Sequence, residues 1–131
     1  MRILVTGSRD FYWWNQVNEA LLDAVKGGIN LTIVHGDCPT GADHWADKWA
    51  TFQAVRQEKH PADWDKLGKG AGPIRNQEMV DAGADVCLAF VCPCSKMDCS
   101  ISRPHDSHGT SSTIRMAKKA GIPVRIVRMS R

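Results

Sequence analysis

The sequence lacks any apolar run that approaches the ~18 residues needed to cross a membrane. The short apolar run at its amino terminus stops at Gly7, without the long hydrophobic region and small-residue cleavage site of a signal peptide. These absences exclude a membrane-spanning segment, and we expect a cytoplasmic protein.

Internal repeats, low-complexity tracts and domain linkers are also missing from the 131 residues. A chain of this length can bury one hydrophobic core but is too short for two. Its hydrophobic content of 43% and charged content of 24% are ordinary for a soluble protein. We therefore predict a single domain over residues 1–131, with one irregular segment at 92–108.

The basic residues form no block, because the net charge of +3 is spread along the chain. This distribution does not indicate a protein that wraps nucleic acid, and a small anionic ligand fits it as well. Five cysteines are an odd number, and three of them, Cys92, Cys94 and Cys99, lie close together, which argues against a disulfide framework. Metal binding or reduced thiols remain.

Strand-like stretches alternate with stretches of helical periodicity. Apolar, β-branched runs predict strands at RILVTGS, LTIVHG, DVCLAFV and PVRIVR, and residues 55–60 are a candidate that depends on Val55 alone. Apolar spacing predicts helices within 15–27, 41–54, 73–82 and 110–120, whereas PADWDKLGKGAGP is loop by composition. We predict an α/β fold, a small Rossmann-like three-layer sandwich with a mostly parallel sheet of about five strands.

Four glycine-containing loops adjoin these strands, and ligands of such sheets bind outside the carboxyl ends of the strands. Glycine beside Ser, Thr, Arg or Asn lets backbone N–H groups and a helix N-terminus approach a phosphate closely. The candidate ligand contacts are Gly7, Ser8, Arg9, Gly36, Asp37, Gly41, Arg75, Asn76, Ser107, His108, Gly109, Thr110 and Ser111. For any one loop, turn chemistry and helix capping are the alternative explanation.

The segment GPIRNQEMV places Arg75 and Asn76 in the first turn of a predicted helix, where an acidic residue would suit the helix dipole better. We interpret Arg75 as an anion contact, with a solvated surface arginine as the alternative. Asn76 is either an anion contact or a cap. Asp43 and Asp47, four residues apart, are interpreted as structural.

The tryptophans fall into two groups. Trp45 and Trp49 are predicted to lie in the core, because they share one helical face. Trp13, Trp14 and Trp64 lie in or beside the rim loops, where an indole could instead stack on a base.

Five motifs occur in order along nearly the whole chain: GSRDF, HGDCPTGADHWADKWA, PADWDKLGKGAGPIRNQEMV, VCLAF and SHGTSSTIRMAKKAGIPV. In this arrangement the chain resembles the YspA-like (cpYpsA-related) family of the SLOG superfamily. The superfamily is Rossmann-like and includes the lonely-guy phosphoribohydrolases and the DNA-processing A proteins. The resemblance implies binding of a nucleotide or a nucleotide-derived signal.

The resemblance also implies roles for single residues. Arg75 looks like the arginine that assists N-glycosidic cleavage in the lonely-guy enzymes, and Gly109 and Thr110 look like the GT of their phosphate loop. Thr113 stands in the place of their catalytic glutamate, and His108 stands where a small residue is expected. Without that carboxylate, activation of water by this loop is unexplained.

The irregular segment offers a possible metal site. Cys92, Cys94 and Cys99 with His105 have the ligand types of structural zinc, which would order a long polar loop, and His108 is the other histidine available. The alternative is a flexible insertion with reduced thiols. Cys87 is predicted to lie in the core, and Cys38 is a loop thiol without an obvious partner.

Three functions are compatible with these features. The first is a binding module that holds a small-molecule nucleotide or derivative between the loops, and the second is a phosphoribohydrolase-like hydrolase that uses the same pocket. Thr113 in the place of glutamate favours the first. Single-stranded DNA binding lacks support, since neither a basic stripe nor regularly spaced exposed aromatics can be identified. A homo-oligomer is compatible with all three.

Overall fold

A computed structural model of the chain describes residues 1–8, 11, 14–91 and 108–128. Its strands are β1 (Arg2–Gly7), β2 (Thr32–His35), β3 (Arg56–Lys59), β4 (Val86–Val91) and β5 (Val124–Arg128). Its helices are α1 (Trp14–Ala24), α2 (Gly41–Phe52), α3 (Trp64–Leu67), α4 (Ala71–Asp81) and α5 (His108–Lys119), with a 3-10 turn at Gly68–Gly70. None of the helices in these ranges is long and apolar enough to span a membrane.

The five strands form one parallel sheet in the order β3-β2-β1-β4-β5. In the centre of the sheet Ile3 of β1 is aligned with Ile33 of β2 and Val86 of β4. From β1 the chain crosses to β2 in one direction along the sheet, and from β4 it crosses to β5 in the opposite direction, as in doubly wound sheets. The predicted Rossmann-like α/β fold is confirmed.

Alternate residues of each central strand face opposite layers of helices, because side chains alternate across a sheet. On one face Ile3 and Val5 pack with apolar residues of α1 and α2, and on the other Leu4 packs with apolar residues of α4 and α5. Both faces of β4 are buried, so its run reads as continuously apolar. The core includes Cys87, whose thiol pKa is raised by burial to about 12.

The edge strand β3 carries polar side chains, and salt bridges attach it to its neighbours. Glu58 receives two hydrogen bonds from the Arg2 guanidinium, at 3.0 and 2.8 Å, across the intervening strand β2. The His60 ring lies 2.7 Å from the same carboxylate. These contacts explain why a segment with little intrinsic β propensity is a strand.

The Glu58 network predicts a specific dependence of stability on pH. Hydrogen bonds from Arg2 and His60 lower the pKa of Glu58 from 4.5 to about 2. Since the folded-state pKa is depressed, the stabilisation is complete above pH ~4.5 and is lost as the pH falls towards ~2. We expect Glu58→Gln to lower the free energy of unfolding at pH 7 by about 1 kcal/mol, a value reduced for solvent screening because 36% of the side chain is exposed.

Urea unfolding of both proteins between pH 7 and pH 2.5 checks this expectation. The difference in unfolding free energy between them should shrink as the pH falls below ~4.5. A difference that does not change with pH would contradict the role of the Glu58 charge.

The segment 61–73 departs from the sequence-based prediction of a loop. Its middle forms α3, because the Asp63 carboxylate accepts a hydrogen bond from the Lys66 amide at 3.1 Å and caps the helix. The 3-10 turn follows, and α4 begins at Ala71 rather than at Pro73. Pro73 is tolerated there because the first turn of a helix needs no N–H donor from it.

Candidate functional site

A cleft of about 310 Å³ lies outside the carboxyl ends of β2 and β3. Its walls come from the loop after β2, the segment after β3 and helix α4. The lining residues are Gly36, Asp37, Cys38, Pro39, Thr40, Pro61, Ala62, Trp64 and Arg75. The cleft therefore combines one cationic, one acidic and one aromatic side chain with a turn of backbone.

His35, the last residue of β2, fixes the shape of the first wall. The imidazole is fully buried. Its Nδ1 accepts a hydrogen bond from the Asp37 amide at 3.0 Å, and its Nε2–H donates to the Gln57 amide oxygen at 2.8 Å. This pattern assigns the proton to Nε2 and holds Asp37 in a left-handed conformation with φ of 55°.

Asp43, in the first turn of α2, holds the same loop through its carboxylate. Only 8% of the residue is exposed, and its carboxylate accepts a hydrogen bond from the Cys38 amide at 3.3 Å and lies beside Gly36. Burial raises the pKa of Asp43, and the positive charge of Arg75 acts in the opposite direction. The amides of Asp37 and Cys38 thus bond to the protein itself, so an anion would meet other donors of this wall.

Arg75 joins α4 to the loop after β2. Its Nη1–H donates to the Gly36 carbonyl at 2.6 Å and to the His60 carbonyl at 3.4 Å, and its Nε–H donates to the Asn76 side chain at 2.7 Å. Arg75 lies in the second turn of α4, and the sequence-based placement in the first turn was wrong because the helix begins two residues earlier. Its Nη2 makes no hydrogen bond with any residue that the structure describes.

Gly36 is required by the close approach of these groups. A Cβ atom at this position would collide with the Arg75 guanidinium and would lie 2.9 Å from the Asp43 carboxylate. Because both groups are held by other contacts, glycine is the residue that fits between them.

Trp64, the first residue of α3, forms the opposite wall of the cleft. Its indole lies against the first turn of α4, where a Cβ atom on Gly72 would be 3.2 Å from the ring. The residue is 47% exposed, a large fraction for an aromatic side chain. Trp45 and Trp49 were predicted to lie in the core. Trp49 is buried there, and Trp45 packs against it.

The predicted contacts at the end of β1 lie against α2 and β4. A Cβ atom on Gly7 would be 2.7 Å from the Phe90 carbonyl oxygen. The Ser8 amide donates to that carbonyl at 3.0 Å, and the Ser8 carbonyl accepts from the Ala42 amide at 3.4 Å. Gly41 begins α2 directly beside them, and none of these three residues is among the cleft-lining residues that the structure describes.

The predicted phosphate loop leads into α5. His108 and Gly109 are its first residues, Thr110 is buried, and Ser111 is half-buried. Thr113 is fully buried. None of these α5 residues is among the cleft-lining residues that the structure describes.

Several predicted residues lie outside the described part of the chain. They are Arg9 and Ser107 among the ligand contacts, Trp13 among the aromatics, and the zinc ligands Cys92, Cys94, Cys99 and His105. The described residues contain no cluster of three or more metal-ligating side chains. Zinc binding by the 92–108 segment stays a prediction.

Sequence reasoning missed three features of the cleft. His35 was given no role, although its position at the end of a predicted strand, directly before a glycine, was a signal that it lies at the rim. Pro61 and Ala62 were assigned to a loop without a role. Asp43 was interpreted through the helix dipole, whereas its carboxylate bonds to the Cys38 amide.

Comparisons with known proteins identify the family of the chain. Residues 1–67 match the model of the YspA, cpYpsA-related SLOG family, and this segment includes every lining residue except Arg75. The chain is also 44% identical over 129 residues to the Gene 61 protein of Mycobacterium phage D29, which covers 94% of this chain and 93% of that protein. No solved structure matches this chain. The chain belongs to the YspA, cpYpsA-related SLOG family.

Proposed function

We propose that the protein binds a nucleotide or a nucleotide-derived ligand in the cleft beside β2, with an anionic group of the ligand on Arg75. The observation that carries this proposal is the position of Arg75. Two of its guanidinium nitrogens are held by backbone and side-chain acceptors, and Nη2 has no such partner among the described residues. A planar cation held in this way can donate to a phosphate without first being ordered.

The amino terminus of α2 adds to the attraction for an anion. Thr40 lines the cleft and precedes the first residue of α2, and its side chain makes no capping hydrogen bond. The helix dipole therefore acts on the cleft together with Arg75. The negative charge of Asp43, next to Arg75, offsets part of this positive charge.

The size of the cleft suits one nucleotide. A volume of about 310 Å³ is at the lower limit of ligand pockets, which span about 300–1,000 Å³. This favours a mononucleotide or its derivative over a dinucleotide. Isothermal titration calorimetry with AMP, GMP and CMP tests the proposal, and the absence of binding to all three would contradict it.

Hydrolysis of the ligand is the alternative function, and we expect it not to occur. Helix α5 has no acidic residue, and Thr113 is fully buried in it. A threonine hydroxyl is a poor general base near neutral pH without an activating neighbour. We predict that no free base is released from AMP, CMP or GMP above the rate of the protein-free control, as measured by chromatography.

Turnover in this assay would direct attention to Asp37, the carboxylate that lines the cleft. An Asp37→Asn variant would then decide whether Asp37 is the acid or base. Loss of turnover in that variant would reassign the protein to the hydrolases.

A further inference from the structure

We infer that Trp64 is the base platform of the cleft, so that the ligand carries a planar nucleobase that stacks on this indole. The inference rests on the proposed function and specifies how the ligand is recognised. Arg75 would hold the anionic end, and Trp64 would select the aromatic end.

Trp64 differs from the other described tryptophans in combining exposure with a place in the cleft. Trp49 is 8% exposed and Trp45 packs against the core. Trp14 is 53% exposed but does not line the cleft. Trp64 is 47% exposed and lines it.

The indole of Trp64 is supported from one side. Gly72, in the first turn of α4, leaves room for the ring, which lies 3.2 Å from the position that a Cβ atom would take. The Asp63 cap holds the start of the four-residue helix α3 that carries the indole. A half-exposed ring that is backed by a helix loses little freedom when a second ring is placed on it.

The cleft offers few other groups that could recognise a base. Its apolar lining consists of Pro39, Pro61 and Ala62 beside the indole, and its charged groups are Asp37 and Arg75. Stacking on tryptophan tolerates every base, because each base has a π face. We therefore expect purine and pyrimidine nucleotides to bind, with purines tighter because their rings are larger.

The test compares AMP with ribose 5-phosphate, which has the sugar and the phosphate without the base. Binding of both compounds is measured by titration calorimetry to the full chain and to its Trp64→Leu, Trp64→Phe and Trp14→Leu variants. Trp14→Leu is the matched control, since it removes an exposed indole outside the cleft lining. Melting temperatures establish that each variant is folded.

We expect Trp64→Leu to weaken AMP binding roughly 10- to 100-fold, the range for loss of one aromatic stacking partner. Its binding of ribose 5-phosphate should be unchanged, Trp64→Phe should recover most of the AMP affinity, and Trp14→Leu should have no effect. Unchanged AMP affinity in Trp64→Leu, or equal loss for both compounds, would overturn the inference.

The two proposals fail in different ways. If the unmodified protein binds ribose 5-phosphate as tightly as AMP, the base platform is wrong while an anion site remains. If it binds neither compound, the proposed function is wrong and the inference fails with it.

Discussion

Replacement of Asp43 by alanine is expected to lower the free energy of unfolding by about 2–4 kcal/mol. The substitution leaves the part-buried Cys38 amide without its acceptor and removes the carboxylate beside Gly36. It also removes the negative charge that faces Arg75. A donor left without a partner costs ~1–3 kcal/mol, and the loss of the charge that faces Arg75 adds to this cost, so the change is larger than a typical surface substitution.

Urea unfolding followed by circular dichroism measures this effect. Asp47→Ala is the matched control on the same helix, because its carboxylate is one-third exposed and belongs to a surface salt bridge with Lys59. We expect that control to lose less than about 1 kcal/mol. Asp43→Asn keeps an oxygen acceptor and should fall between the two. If Asp43→Ala unfolds at the same urea concentration as Asp47→Ala, the carboxylate does not hold the loop.

Replacement of Arg75 by alanine is expected to weaken nucleotide binding by roughly 1.5–3 kcal/mol, the range for a hydrogen bond to a charged group. This corresponds to a 10- to 150-fold increase in Kd. The free energy of unfolding should also fall, by about 1 kcal/mol, because Nη1 donates to the Gly36 and His60 carbonyls.

Calorimetry with AMP and urea unfolding separate the two effects. Arg56→Ala makes the same change in charge at the amino end of β3, away from the cleft, and should leave the affinity unchanged. Arg75→Lys keeps the charge without the planar guanidinium and should recover part of the affinity. Unchanged AMP affinity in Arg75→Ala would reassign Arg75 to a structural role.

The errors in the sequence analysis come from local interactions that periodicity does not report. The segment 61–73 has the composition of a loop. A short helix forms within it nevertheless, because Asp63 caps the helix and the Trp64 indole packs against Gly72. Helix α4 begins two residues earlier than predicted, which places Arg75 in its second turn. The contacts of Arg75 with the Gly36 and His60 carbonyls come from the packing of α4 against the loops after β2 and β3.

The periodicity of the sequence was sufficient for the architecture. Alternating apolar runs and helical faces specify parallel strands with helices on both sides, because each face must be buried against another layer. Glycine after β1 and β2 marked the rim of the sheet, and the motif order indicated the family. The strand and helix positions depend on residue spacing, whereas the family follows from the resemblance of the motifs.

Only the tertiary structure decided how the cleft is built. His35, Asp43 and Arg75 come from three different elements and meet around Gly36, at sequence separations of up to 40 residues that no local pattern connects. Hydrogen-bond geometry shows which amides of the loop bond to the protein, and which nitrogen of Arg75 has no partner among the described residues. The packing of the surrounding layers also determines that the Trp49 indole is buried and that the Trp64 indole faces the cleft.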